Sequence, residues 1–413
     1  MRKRTREFPL LLFTHTVGHL GDILYISLMV IYLKRTTGST LIAALFPFVR
    51  VLAMFGSSFV SPFLLEKLPL VRLLTLTRAG ETALMLGLAA AIGLGAEALW
   101  VPFAFVLLVS FLQGWADPVV YSLVPRFAPA DRLARANATL GTAREVGVIA
   151  AWGVGATLAA LFDPVWLLAG CALLFAAGFA ASLRLPTVEA PTPDPAAGSR
   201  WASIRAGWQE LLRNPVARAV AAMDLVEGIG ISIFAGAFTL TFVEQRLGQE
   251  EPFWGFLNAA YFVGMIAGGA IVSRLGDRLT RRTLPVALAL GSLGYGIGTL
   301  AYGATTSPLA ALLIVAGLGL PCMARETAQR TLLQLNVPER KLPNVLVAHG
   351  AMNALVFAVS LLLMGAMADA FGIASIYYIG GGAAIAGAAL GLMLFARRRP
   401  AAKVAGDAPS EGV

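Results

Sequence analysis

Long apolar runs recur along this 413-residue chain, at about 9–33, 40–64, 71–95, 99–123, 137–162, 165–185, 216–243, 253–275, 284–304, 308–328, 345–368 and 375–396. Each has the ~20 residues that a helix needs to cross ~30 Å of hydrocarbon. In that medium a lone segment must satisfy its own backbone, so the runs predict helices. The expectation is an all-α polytopic membrane protein with twelve transmembrane helices. Composition agrees, with 58% hydrophobic and only 13% charged residues, too few charges to cover a water-soluble body. The two cysteines, Cys171 and Cys322, both lie in apolar runs and suggest neither a disulfide framework nor a zinc ribbon.

A net charge of +9 would suit nucleic acid if it formed one patch, but its placement says otherwise. The outward connections after the first and seventh runs hold Lys34, Arg35 and Arg246, and Arg50 and Arg144 lie inside runs. The rest of the 32 basic residues fall at the other ends, loops and tails. Such a bias predicts cytoplasmic termini in a cell membrane, with the lipid bilayer rather than nucleic acid as partner. The basic start Met1-Arg-Lys-Arg-Thr-Arg leads into a run too long for a signal-peptide core, without a small-residue cleavage site, so the first span is read as retained.

The pattern breaks once. Pro186, Pro191, Pro193 and Pro195 mark a linker, followed by an apolar stripe of Trp201, Ile204, Trp208 and Leu211 beside Arg200, Arg205 and Arg213. This predicts an amphipathic helix, lying on the membrane surface or capping the bundle. The chain thus divides into a six-helix bundle at 1–185, a cytoplasmic linker at 186–215, a second bundle at 216–396 and a tail at 397–413. The two bundles resemble each other. Glu66-Lys67, followed by Arg72, matches Asp277-Arg278, followed by Arg282, while an offset of 209 carries Pro129, Leu133, Asp117 and Phe162 onto Pro338, Leu342, Glu326 and Phe371. Six spans on each side with such matches indicate two pseudo-symmetric halves in parallel repeat, as in secondary transporters.

At these residues the chain resembles the major facilitator superfamily. Gly276-Asp277-Arg278-Leu-Thr-Arg281-Arg282 is similar to the family's loop signature in its second-half copy, and Leu65-Glu66-Lys67-Leu-Pro-Leu-Val-Arg72 is a degenerate first copy. Leu20-Gly21-Asp22 through Tyr25 to Thr37-Gly38-Ser39, and Leu123-Val124-Pro125 through Leu133-Ala134-Arg135-Ala136-Asn137-Ala138, resemble the drug-efflux branch that includes macrolide and siderophore exporters. The resemblance implies alternating access around a central cavity lined by spans one, four, seven and ten, with export of a small molecule. Two departures weigh against proton antiport. Ser110 stands where many drug:proton antiporters carry arginine, and Ala151-Trp152 stands where they carry Gly-Pro.

Ionisable residues inside a membrane are functional candidates by default. His15, His19 and Asp22 fall at i, i+4 and i+7 on one helix face. Asp224 and Glu227 lie at similar depth in span seven, with Phe234 and Phe238 continuing the Glu227 face outward. Such a cavity suits amphipathic or cationic organic substrates, and span seven is expected to face the histidines. Against this stands a polar cluster that merely holds the halves together. Arg50 matches Asp22 in depth and predicts a buried ion pair, functional or structural. His15 and His19 suggest a metal site, a proton carrier (protons being the expected coupling ion) or simple hydrogen bonding, and three histidines in all are few for a metal.

Asp117 and Glu326 are placed near the cytoplasmic ends of spans four and ten, level with Asp277, Arg278, Arg281, Arg282 and Arg325. With Glu66 and Lys67 they form an expected cytoplasmic gate. Arg78 and Glu81 are expected to satisfy each other, while adjacent Arg144 and Glu145 should point to different faces, Arg144 snorkelling inward. Gly264-x-x-x-Gly268 and Gly387-x-x-x-Gly391 read as helix-packing motifs. No G-x-x-x-x-G-K-[ST] is present, so no nucleotide-driven engine and no cofactor is implied. The leading expectation is secondary active efflux, not enzymatic activity. A lipid or lysolipid translocator, a siderophore exporter, a channel and a membrane-embedded metalloenzyme remain as alternatives.

Overall fold

The computed structural model describes residues 7–96, 98–187, 200–234 and 236–396. The first half comprises α1 (Glu7–Thr37), α2 (Thr40–Ser57), α3 (Ser61–Lys67), α4 (Leu70–Gly93), α5 (Trp100–Gln113), α6 (Ala116–Phe127), α7 (Leu133–Leu161) and α8 (Pro164–Ser182). A connecting helix follows, α9 (Arg200–Arg213). The second half comprises α10 (Pro215–Glu227), α11 (Gly236–Gln245), α12 (Glu251–Leu275), α13 (Leu284–Ala304), α14 (Pro308–Gly317), α15 (Gly319–Asn336), α16 (Leu342–Phe371) and α17 (Ile373–Ala396).

These make the twelve expected crossings, four of them in two pieces: α2 with α3, α5 with α6, α10 with α11, and α14 with α15. Two breaks fall where helices meet backbone to backbone. Gly230 lies against Gly380 of α17, and Gly319 against Gly264 of α12, places that admit no Cβ. The Gly264-x-x-x-Gly268 motif therefore packs α12 onto the α14–α15 break. In the other motif, Gly387 receives the Glu227 side chain and Gly391 the Met223 side chain. Among the described residues, eight crossings are long and apolar enough to span a membrane by themselves. The others are broken or carry internal charge, as α4 does with Arg78 and Glu81 and α7 with Arg144 and Glu145.

Leu52, Leu173, Leu309, Leu313, Leu355, Val359 and Leu362 are exposed on the outer surface, an arrangement stable only against hydrocarbon. Trp100 and Trp166 are exposed at the starts of α5 and α8, where amphipathic indole rings suit the headgroup level. An even number of crossings returns the chain to the face from which α1 starts, called here the terminal face.

Within the first half α1 packs on α7 and α8, and α4 on α5 and α8. Within the second α13 packs on α15 and α17, and α12 on α14 and α15. The halves meet where α7 packs on α12 and α15, and where α2, α3 and α6 pack on α16. The repeat maps one seam onto the other, span five on span eight becoming span eleven on span two. Helix α9 packs on α3, α10 and α16 and so touches both halves. Its Leu211 is wholly buried in the second half's core, and Glu210 pairs with Lys341 at 2.8 Å, which favours the capping reading. The Trp201 and Ile204 side chains of the expected stripe, and Pro191, Pro193 and Pro195 of the linker, lie outside the described residues.

Candidate functional site

A cavity of about 470 Å3 lies between the halves. The first half supplies Asp117, Pro118 and Tyr121, and the second supplies Asp224, Glu227, Phe234, Tyr295, Arg325, Glu326 and Arg330 among others. The broken spans bring these side chains together: Asp117 and Tyr121 sit on α6, Asp224 and Glu227 on α10, and the arginines on α15. At ~1.5 Å per residue, Asp117, Asp224, Glu227, Arg325 and Glu326 lie roughly 13–18 Å in from the terminal-face ends of their helices. That is the depth of the bilayer midplane.

In the second half Arg325 is the hub. Its Nη2 donates to Asp224 Oδ1 at 2.5 Å, and its Nε to Glu227 Oε2 at 2.6 Å. Ser292 donates its hydroxyl to Glu227 Oε1 at 2.8 Å, and Gln329 Nε2 donates to Asp224 Oδ2 at 2.5 Å. His349 Nε2 lies 2.5 Å from the same Oδ2. A buried charge is tolerable when paired and hydrogen-bonded, and these two carboxylates are both. Above them Phe234 stacks edge-on with Tyr295 and Tyr377, whereas Phe238 packs into the aromatic core beside the cavity rather than lining it.

The first half holds a separate polar centre. The His15 and His19 rings stack at 5.9 Å, and His15 Nδ1 lies 3.7 Å from Asp117 Oδ1. Arg50 Nη2 donates to Asp22 Oδ2 at 2.5 Å, and Arg78 Nη1 to Glu81 Oε2 at 2.7 Å. A small chamber of about 50 Å3 joins His15, His19, Asp22, Arg50, Arg78, Gln113 and Asp117. His15 therefore faces Asp117 and Tyr121, with His19 stacked on it in the same chamber, and not the span-seven acids they were expected to meet. His15 and Asp224 are repeat equivalents at the offset of 209, one in each polar centre. Among the described residues no cluster of three or more His, Cys, Asp or Glu is arranged for a metal.

The expected gate divides. Asp277 remains at the terminal face, 3.5 Å from Arg135, with Arg278, Arg281 and Arg282 exposed beside it. Lys67 lies over the Phe63 ring at 4.1 Å, and the Glu66 side chain is outside the described ones. Asp117, Arg325 and Glu326 do not belong to this level. Spans four and ten run on as helix to Phe127 and Asn336, so Asp117 lies about one turn deeper, and Arg325 and Glu326 about two turns deeper, than the apolar runs implied. Arg144 also departs from expectation. It curls back to its neighbour Glu145, Nη2 to Oε1 at 2.7 Å, and reaches Glu326 Oε1 across the interface at 3.2 Å. A long side chain overcomes the ~100° between adjacent helix positions when a second acid shares its guanidinium.

Other cross-half contacts lie nearer the terminal face. Asn137 Nδ2 donates to Thr331 Oγ1 at 2.9 Å and to Gln334 Oε1 at 2.7 Å, and Gln334 Nε2 donates to the Tyr121 carbonyl at 2.8 Å. Thr139 and Ser273 share a 3.1 Å bond, and Arg126 approaches Glu339 at 3.9 Å. Buried amide networks of this kind hold one geometry while satisfied. His349, Gln329, Arg330 and the Asn137–Gln334 pair escaped the sequence reading. The only signal was polar residues persisting past the apolar part of span ten.

Two repeated six-helix bundles around a shared midplane cavity define a membrane transporter, not an enzyme. The sequence profile of the Major Facilitator Superfamily matches residues 220–412. The MFS-type transporter YjbB of Bacillus subtilis (strain 168) is 30% identical over 297 residues, covering 72% of this chain and 70% of that protein. The MFS-type transporter YfmI of the same organism is 27% identical over 374 residues, covering 90% and 92%. The chain belongs to the major facilitator superfamily. Its fold is also similar to a bacterial homologue of the iron transporter ferroportin in outward-facing state (TM-score 0.74, 13% identity, 94% of this chain and 99% of that one). It is likewise similar to the human organic anion transporter MFSD10 (0.75, 13%, 95% and 100%) and to the proton:xylose symporter XylE (0.74, 14%, 95% and 96%).

Proposed function

We propose that this transporter carries out secondary active efflux of a small amphipathic organic compound bearing a cationic group, by alternating access and coupled to protons. The observation that supports this reading is the lining of the shared cavity. Four carboxylates, of Asp117, Asp224, Glu227 and Glu326, meet two guanidiniums, of Arg325 and Arg330, among the aromatic rings of Tyr121, Phe234, Tyr261 and Tyr295. Excess acid supplies countercharge, aromatic faces attract cations, and the volume suits a drug-sized ligand. The motifs resembling the drug-efflux branch favour the outward direction. In this reading residues 1–185 and 216–396 are the moving bundles, 186–215 and 397–413 are cytoplasmic, and the terminal face looks into the cell from its plasma membrane.

For the coupling proton the Glu145–Arg144–Glu326 triad is the best-supported seat. One guanidinium there serves two carboxylates from opposite halves. A proton on Glu326 would release Arg144 to Glu145 and loosen the interface, which links proton uptake to the opening of the terminal face. The test is uptake of a panel of amphipathic dyes into inside-out vesicles, with and without a protonophore. Accumulation abolished by the protonophore supports coupled export. Movement indifferent to the pH gradient would leave uniport or lipid translocation instead.

A further inference from the structure

Among the charged groups that line the shared cavity, Arg330 is set apart. Arg325 is saturated by Asp224, Glu227 and Gln329, and Arg144 by Glu145 and Glu326. Arg330 has no such partner. Among the described residues it forms no hydrogen bond and no ion pair within 4.0 Å. Its guanidinium carbon instead lies over the Tyr121 ring, 3.7 Å from the centroid, and both side chains line the cavity. Stacking holds the plane of the guanidinium but uses none of its five N–H donors, which lie in that plane.

Position adds to the argument. Arg330 lies about 9 Å in from the terminal-face end of α15 and Tyr121 about as far in from that of α6, so the stack bridges the two halves near the cavity floor. The opposite charge that acts on it is that of Asp117, beyond 4.0 Å, whereas Arg50, Arg78 and Arg325 each hold a carboxylate directly; a charge at that depth without a direct partner is costly. An oriented guanidinium with free edge donors presents the fork that matches a carboxylate or phosphate. Asp117, the one nearby carboxylate with its side chain half exposed (51%), stands one helical turn from Tyr121 on α6.

We infer that Arg330, held over the Tyr121 ring, is an anion anchor in the transport cavity, and that the substrate is zwitterionic, with a carboxylate or phosphate group on Arg330 and its cationic group toward Asp117. This rests on the proposed reading of the cavity as the site for an amphipathic organic compound, and narrows it. The anchor also gives the two halves a shared contact to the substrate, because Tyr121 orients from one half the guanidinium that the other supplies.

The experiment compares an amphipathic xanthylium dye as its free acid, a zwitterion, with its methyl ester, a cation of nearly the same shape. Binding to purified full-length protein in lipid nanodiscs is followed by fluorescence anisotropy. The expected result is free-acid binding about tenfold or more tighter than ester binding, the size of one charge-assisted contact. The preference should vanish in Arg330→Gln and survive in part in Arg330→Lys, which keeps the charge and loses the fork. Thermal unfolding of Arg330→Gln in the same nanodiscs should stay cooperative and near the native midpoint, which separates loss of the anchor from loss of the fold. Equal binding of acid and ester by the native protein, or a preference that persists in Arg330→Gln, overturns the anion anchor and leaves the cavity reading standing. Failure of the native protein to bind either form overturns both.

Discussion

Arg144 of α7 and Glu326 of α15 meet across the two halves at 3.2 Å, deep in the membrane-spanning region, while the same guanidinium holds Glu145 at 2.7 Å. The bond ties the first half's fifth span to the second half's tenth at midplane depth, above the amide contacts of Asn137 and Gln334. Alternating access requires the contacts of one face to break as the other side closes. Those that break most easily are the ones whose energy depends on charge state.

Glu326→Gln removes one charge while leaving Arg144 its pair with Glu145. The expected outcome is a larger population open at the terminal face. Spin labels at the exposed positions Asp131 and Arg340 should show a longer distance component than in the native protein. Arg144→Gln should be worse tolerated, since it strands two acids, at a cost of about 3–5 kcal/mol by analogy with other broken buried pairs. An unchanged distance distribution in Glu326→Gln would remove the triad from the proposed switch.

Asn137→Ala leaves the Gln334 side-chain oxygen and the Thr331 hydroxyl without their donor. Burying such groups unsatisfied costs about 1–3 kcal/mol, so a terminal face held shut by this network should open roughly tenfold more often. Reactivity of a cysteine placed at Thr139 toward a water-soluble maleimide reports this directly. It should rise in Asn137→Ala.

Asp22→Asn leaves Arg50 without its carboxylate partner in the first half's polar chamber and should destabilise that half by about 3–5 kcal/mol. The double change Asp22→Asn with Arg50→Gln removes both charges and should recover much of the loss. Thermal unfolding in nanodiscs is the measurement, and absence of any recovery would mean that the pair does more than balance charge.

Glu227→Gln leaves Arg325 its Asp224 partner but removes one of the four cavity carboxylates. Binding of a cationic dye should weaken several-fold, whereas a neutral dye of similar size should bind as before. Affinity for the cationic dye unchanged from that of the native protein would take Glu227 out of substrate recognition.

Gly264→Val forces a side chain into the α14–α15 backbone at Ala316. No flexible neighbour is available to move, so the expected outcome is loss of folded protein in size-exclusion chromatography. Gly382→Ala, at a glycine with open space, should be neutral.

Apolar run length is a local property and was enough to read twelve crossings, while the repeat and the family were legible from short motif matches such as Glu66-Lys67 with Asp277-Arg278. Asp22 with Arg50, and Arg78 with Glu81, were also legible, because each pair is close in sequence and matched in depth. The fate of Asp117, Arg325 and Glu326 was not. Run length places a helix end where hydrophobicity stops, yet spans four and ten continue as helix into the seam between halves, where Gln329, Thr331 and Gln334 find partners on other spans.

The sequence by itself determined a helical membrane protein of two repeated bundles, because hydrocarbon leaves an isolated apolar segment no other backbone solution. Only the tertiary structure decided which buried charges are matched. Arg325 could have served a gate, the span-seven acids or neither, and its choice depends on where α15 breaks and how far it runs. Arg330 shows the same limit, since its lack of a partner is a property of every element around the cavity and of no stretch of the chain.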